Sequence, residues 1–464
     1  MKYALVFHTT HQTMLAEEAL SLNGFFFDTL PLPKDIKAGC TLALSVKEED
    51  VAGIVGLFRN ENIVIEGLYA VTEHGWRKEA AEGTAAVPFY LDCNATTPVA
   101  PEVVNAMLPF LEDEFGNASS IHSYGRMARS AIDQAREHVA ALLGADPSEI
   151  VFTGCGSEAN NLAVKGMAFA RLGARGHVIT SAVEHASVLN VCRYLETIGF
   201  DVTYLPVDSA GMVDPCAVEK AIRHDTFLIS VQWANNEVGT VQPVAAIGEI
   251  ARDRKILFHS DAVQAAGKAA VDALAVPVDM MTISAHKFNG PKGVGALYVK
   301  HPHRLVPLIH GGKHERGMRA GTENVPGIVG IGAAAMLAME RIGEYPERIS
   351  GLRDLLWREV SAGVSGVALN GHPEERLPNT LNLSFPGIDG ESLLINLDLE
   401  GIKASTGAAC SSGSIAASHV LEAMRVPAER IKGSIRFSLG FGLTEEDVRL
   451  VAKTVVEVVR RMKK

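Results

Sequence analysis

From residue 149 to residue 299 the chain repeats one pattern: a short apolar run, then a longer stretch with helical spacing. The runs are EIVFTG (149–154), HVITSAVEH (177–185), DVTYLPV (201–207), TFLISVQWANNE (226–237), KILFHSDAVQ (255–264), MMTISAHK (280–287) and VGALYV (294–299). Strands that are apolar along their whole length need cover on both faces, and intervening helices supply it. The pattern predicts a mostly parallel sheet in an α/β domain. In such sheets a ligand lies beyond the carboxyl ends of the strands.

The rest of the 464 residues is organised around that block. Residues 1–71 read as a separate α+β unit in the order β-α-β-β-α-β, a ferredoxin-like split unit. Residues 72–88 carry charges and small residues without apolar periodicity, which predicts a linker. The large domain is expected over 89–325 and a smaller α+β domain over 326–464, with helices over 327–345 and 444–462. Acidic residues outnumber basic ones 54 to 43, which argues against a nucleic-acid surface. No apolar stretch approaches a membrane span, and MKYALVFHTTHQ is too short a run for a signal peptide. The six cysteines (Cys40, Cys93, Cys155, Cys192, Cys216, Cys410) are scattered without CxxC or zinc-type spacing. They predict no disulfide framework, no metal site, and a cytoplasmic protein with reduced thiols.

The residues at the strand ends carry the chemistry. EIVFT leads into Gly154-Cys155-Gly156-Ser157 and then a helix, a turn that offers bare N–H groups to an anion. Other strands end in Glu184-His185, Asn235-Asn236, Asp261 with Gln264 one turn later, and Ser284-Ala285-His286-Lys287. Singly, each has an ordinary role: Asp261 as a helix cap, His185 as a core histidine, Lys287 as a surface lysine. Together they match the needs of pyridoxal phosphate. Lys287 suits the aldehyde, Asp261 the ring nitrogen, Gln264 and Asn236 the phenolate oxygen, and His185 the ring face. Gly156, Ser157, Ser284 and His286 suit the phosphate. The glycines after Lys287 would let the backbone turn tightly beside the cofactor.

With these residues in place, the sequence resembles the cysteine desulfurases, class V aminotransferases of the fold type I group. The matching stretches include YLDCNATTPVAPEV (90–103), EIVFTGCGSEANNLAVKG (149–166), NNEVGTVQP (235–243), HSDAVQAAGK (259–268), SAHKFNGPKGVGALYV (284–299), STGAACSSGS (405–414) and SIRFSLG (434–440). The resemblance implies a homodimer in which Thr322 reaches the phosphate of the partner subunit. It implies that Arg436, helped by Asn236, binds the substrate carboxylate. Cys410 would be the nucleophile that takes sulfur from L-cysteine, leaving alanine and an enzyme persulfide for an acceptor protein. The cysteine loop resembles the longer-loop branch that serves iron–sulfur cluster assembly and thiolation. The family's Ala-Thr at the phosphate is Gly156-Ser157 here, and an arginine that often follows SIRFSLG is Phe441. Selenocysteine lyase and other class V aminotransferase activity are the alternatives. Residues 1–71 resemble selenium/sulfur-carrier-like proteins, and Cys40, with Lys34 and Lys37 nearby, is a candidate relay for sulfur from Cys410.

Overall fold

The computed structural model describes residues 2–7, 10–33, 36, 42–61, 63, 65–72, 75–79, 89–406 and 418–463. The chain divides into two compact units, 1–89 with 398–402, and 90–397 with 403–464.

The smaller unit runs β1 (Lys2–Phe7), α1 (Thr10–Leu22), β2 (Asp28–Pro31), β3 (Leu42–Lys47), α2 (Val51–Asn60) and β4 (Ile65–Thr72). The strand order is β2-β3-β1-β4 with antiparallel neighbours, as a ferredoxin-like split unit requires. Alternation along β1 explains the burial. Leu5 and Phe7 pack with Ala16, Leu20, Ile54 and Phe58 of the helices, while Ala4 and Val6 join a second cluster. A fifth strand, β5 (Gly75–Glu79), pairs with β4. It lies inside the stretch expected to be a linker, so that expectation is corrected for residues 75–79. An edge strand needs only backbone partners and an anchor, and Trp76 supplies one, its ring 6.2 Å from that of Tyr69.

In the larger unit α3 (Ser123–Leu143) precedes the central sheet. The sheet and its helices follow as β6 (Ile150–Thr153), α4 (Gly156–Phe169), β7 (His177–Ser181), α5 (Ala186–Thr197), β8 (Asp201–Leu205), β9 (Thr226–Ser230), β10 (Leu257–Asp261), β11 (Met280–Ser284) and β12 (Gly295–Val299). The order is β6-β12-β11-β10-β9-β7-β8. Only β12 runs antiparallel to its neighbours. Every residue of β6, β7, β9, β11 and β12 is buried, which is why these runs carry no polar alternation. His177 and His259 stitch the interior by meeting hydroxyls of neighbouring strands, Thr226 and Thr203 for the first, Ser230 and Thr282 for the second. Burial pushes His259 down to about 4, so it stays neutral.

α6 (Val325–Arg341) packs along α3, where a Cβ on Gly332 would come within 2.7 Å of the Ala135 Cα. Its Ile328, Ile331, Ala334 and Ala335 share one core with Ile229 and Phe258 of the sheet. The boundary expected at 325/326 therefore falls at the start of a helix that belongs to the large layer. The small residues of VPGIVGIGAAA serve that close approach, a purpose the helical period alone does not reveal.

The remaining layer holds α7 (Tyr345–Gly363), β13 (Ala368–Asn370), β14 (Thr380–Ser384), β15 (Ser434–Ser438) and α8 (Glu445–Met462). The strands form an antiparallel sheet in that order. Thr444 and Asp447 close a capping box at the start of α8, and Arg460 and Arg461 sit at its negative end. Phe441 stacks on Tyr345 at 6.3 Å, with the guanidinium groups of Arg341 and Arg348 each 4.6 Å from its ring. Among the described residues no single helix is long and apolar enough to cross a membrane.

Candidate active site

β10 ends at Asp261, and β11 beside it ends at Ser284, which leads into the turn Ala285–Lys287. The two strands are parallel, so Asp261 and Lys287 leave the sheet at the same edge. Gly295 allows the chain after Lys287 to return close by: a Cβ there would meet the Cys155 backbone at 2.7 Å.

The Asp261 carboxylate is buried and held at both oxygens. Oδ1 accepts the Val263 backbone N–H at 3.0 Å, and Oδ2 accepts the Asn160 side-chain amide at 2.6 Å. The same amide donates to Ser187 Oγ at 2.8 Å, and that hydroxyl lies 2.7 Å from His185 Nδ1. The Ser187 backbone N–H also donates to Nδ1 at 3.1 Å, so the neutral ring carries its proton on Nε2. Burial pushes the pKa of His185 below its ordinary value; Asp261 opposes this, while Lys287 and His419 add to it. One ring thus senses both the carboxylate and the amine.

At the start of α4, Gly156 lets the helix approach the sheet. A Cβ there would lie 3.0 Å from Val263 Cγ2 and 3.2 Å from Ser284 Cβ. Ser284 Oγ is buried and has no hydrogen-bond partner among the described residues, and Ser157 is exposed in the first turn of the helix. His286 Nδ1 lies 3.2 Å from Thr96 Oγ1. Burial, with Lys287, Lys292 and Lys268 around it, pushes His286 down to about 4. An orphaned hydroxyl beside a helix N-terminus suits a phosphate group, so the residues present fit pyridoxal phosphate.

The Lys287 amine donates to the carbonyls of Asn94 and Ala95 at 2.6 and 2.9 Å. Gln264 Nε2 donates to the same Asn94 carbonyl at 2.9 Å, and its Oε1 accepts from Lys268 at 2.9 Å. Asn94 is a hub that the sequence presents only inside the stretch YLDCNATTPVAPEV, with no role attached. Its Nδ2 donates to the Asn236 carbonyl and Thr380 Oγ1, and its Oδ1 accepts from Asn379 and Lys268. Its backbone N–H donates to Ser438 Oγ. Asn160 is a second site residue absent from the sequence-based set. Its signal is a polar residue four positions after Gly156, on the same helix face.

Arg436 is buried on β15. Nη2 meets Asp92 Oδ1 at 2.7 Å, Nη1 donates to the Asn236 carbonyl at 3.0 Å, and Nε has no partner among the described residues. Thr322 is exposed and takes no part in these hydrogen bonds. Cys410 and Cys40 lie outside the described residues, as do Lys34 and Lys37. The residues flanking 407–417 are tied to the site. Ser405 exchanges two backbone hydrogen bonds with Arg436, Ser418 Oγ donates to Glu237 Oε2, and His419 Nε2 meets the Glu184 carbonyl oxygen. Burial pushes the Glu184 carboxyl up to about 8 and raises Glu237 as well.

Residues 89–451 match the family described as "Aminotransferase class-V", and the chain belongs to that family of pyridoxal-phosphate enzymes, with their type I fold. Residues 2–70 match the family described as "Putative Se/S carrier protein-like". The chain is 50% identical over 374 residues to the cysteine desulfurase IscS of Dictyoglomus turgidum, across 81% of this chain and 95% of that protein. It is also 50% identical over 374 residues to the cysteine desulfurase IscS of Methanosarcina thermophila, across 81% and 92%. Among solved structures, a NifS-like protein is 40% identical with a TM-score of 0.76, covering 81% of this chain and 100% of that one. SspA in complex with cysteine is 42% identical with a TM-score of 0.69, covering 76% and 98%. Within its class the chain falls among the cysteine desulfurases.

Proposed function

We propose that this desulfurase acts on L-cysteine, releasing L-alanine and leaving the sulfur as a persulfide on Cys410. The observation that carries this reading is the meeting of the Lys287 amine, the doubly held Asp261 carboxylate and the neutral His185 at one sheet edge. The SspA structure in complex with cysteine supports the substrate.

Lys287 would hold the aldehyde carbon of pyridoxal phosphate, Asp261 would face its ring nitrogen, and His185 would cover its ring. Ser157, Ser284, His286 and the backbone at Gly156 would hold its phosphate, while Gln264 and Asn236 would serve the phenolate oxygen. When bound, the cofactor draws electrons from the substrate's α-carbon, which makes the α-proton removable. Arg436, buried and pinned by Asp92, presents a fixed guanidinium to the substrate carboxylate, with Asn236 beside it. His185 keeps Nδ1 engaged by Ser187, so proton traffic at this ring runs through Nε2. Cys410 reacts as a thiolate. The carbon–sulfur bond of the substrate breaks, a sulfur–sulfur bond forms on Cys410, and a proton takes the place of sulfur on the substrate's β-carbon.

The persulfide then passes to an acceptor protein of cluster assembly or thiolation. Cys40 is an acceptor within the same chain, and the carrier-like match of residues 2–70 supports it. A Cys40→Ser chain whose front unit still takes up labelled sulfur removes that step. A homodimer is supported by apolar side chains left in water: Ile121 is 90% exposed and Phe115 75%, with Leu111 and Tyr124 nearby in sequence. In it, Thr322 would serve the partner subunit's phosphate site. The free thiols of Cys93, Cys155, Cys192 and Cys216 fit a reducing cytoplasm.

The test is incubation with L-cysteine, scoring alanine and protein-bound sulfane sulfur in the wild type and in Cys410→Ala. The reading requires turnover to both products in the wild type and loss of both in the variant. Alanine formed at an undiminished rate by Cys410→Ala would point to the alternative, an aminotransferase or lyase that needs no thiol. The same assay with selenocysteine reports on the selenium alternative.

A further inference from the structure

Lys268 is 2% exposed, and its two hydrogen bonds among the described residues go to amide oxygens, Gln264 Oε1 at 2.9 Å and Asn94 Oδ1 at 3.2 Å. Burying an amine without a carboxylate is unfavourable, and burial accordingly pushes its pKa down to about 7. A methionine would fill the same space without that cost. The role of the amine is set by its two partners. An amide side chain can be placed in either of two flipped orientations, and a donor at one end decides between them. With Lys268 donating to Oε1, the Gln264 nitrogen must face the Asn94 carbonyl. With Lys268 and Asn379 donating to Oδ1, the Asn94 nitrogen must face Asn236 and Thr380. The Asn94 carbonyl, held from that side, is where the Lys287 amine rests.

We propose that Lys268 is a positioning residue for the Lys287 amine, fixing the Gln264 carboxamide that holds the Asn94 carbonyl on which the amine rests. Lys268 lies four residues after Gln264 in a run of turns and, among the described residues, makes no hydrogen bond to Lys287 or to a strand end. Besides the direct repulsion between the two amines, its effect on Lys287 passes through Gln264 and the Asn94 carbonyl. Without it, Asn94 Oδ1 keeps Asn379 as a donor, but Gln264 Oε1 loses the donor that sets its orientation, so Gln264 is the amide freed to flip. A flipped Gln264 sets an oxygen against the Asn94 carbonyl and dislodges the surface on which the amine sits.

This inference rests on the reading of Lys287 as the cofactor lysine, and the test separates the two. Full-length protein is stripped of cofactor and given pyridoxal phosphate, and covalent attachment is followed by the yellow absorbance. Lys287→Ala should show none; a band there overturns the reading of Lys287 itself. Lys268→Met should slow attachment about tenfold at an unchanged melting temperature, the size expected for one lost charge-assisted contact. In the double variant with Gln264→Met the slowing should be no greater than in Gln264→Met alone, because both changes break one relay. Slowing that multiplies in the double variant, or none in Lys268→Met, overturns the proposal. If Lys268→Met does not fold, the same cycle with Lys268→Gln decides between these outcomes, since its amide is too short to reach both oxygens.

Discussion

The two sheets of this protein use strands to different ends. The front sheet is antiparallel, and its strand ends leave alternately at opposite edges. Its buried side chains are overwhelmingly apolar, with Phe7 and Phe58 edge to face at 6.0 Å. The seven-stranded sheet sends six strands the same way and gathers Asp261, Ser284, Lys287 and His185 at one edge. Strand direction decides where polar groups collect. An antiparallel sheet can be just as well packed and still assemble no convergent set of functional side chains.

Four experiments separate the roles of the two sheets. The largest effect is expected from Lys287→Ala, which should abolish both the yellow absorbance and alanine formation while leaving the fold intact by circular dichroism. Retained turnover would mean that the sheet edge is not where the chemistry lies. Next, Arg436→Met leaves Asp92 without its partner. It also removes the guanidinium proposed to receive the substrate carboxylate, so kcat/KM for L-cysteine should fall by about a hundredfold, with KM rising. Third, Phe58→Ala in the front unit should cost that unit about 3–5 kcal/mol of stability, read by hydrogen exchange of β1, while alanine formation stays within about twofold. A large fall in activity would show that the two sheets are not functionally separate.

The smallest effect is one of pH. Burial raises the Glu184 carboxyl from its ordinary 4.5 to about 8. The folded protein therefore keeps a proton that the unfolded chain releases. The contribution of this group is fully present below 4.5 and is lost as pH rises toward 8. Denaturation midpoints should decline over that window, and Glu184→Gln, which mimics the protonated acid, should flatten the slope.

The parallel sheet was legible because continuous apolar runs leave few other solutions. The strand-end residues were legible because their positions are set by the run lengths. The unread parts share a physical cause. β5 has too little apolar pattern to mark it, since an edge strand lives on backbone bonds and one aromatic pair. α6 shows its period but not its partner, because glycine and alanine pack by absence of side chain. Asn94 and Asn160 take their importance from partners far away in the chain, which only three-dimensional placement supplies. Phe441, a departure from the usual arginine, is explained by two guanidinium groups already stacked on its ring.

Asn94 also has a mechanical consequence. Through Ser438, Thr380 and Asn379 it is fastened to the three-stranded sheet that carries Arg436, and through Gln264, Lys268 and Asn236 to the seven-stranded one. The seam between these layers is riveted at the very residue on which the lysine amine rests. Any motion that parts these two layers must therefore break hydrogen bonds of Asn94 first.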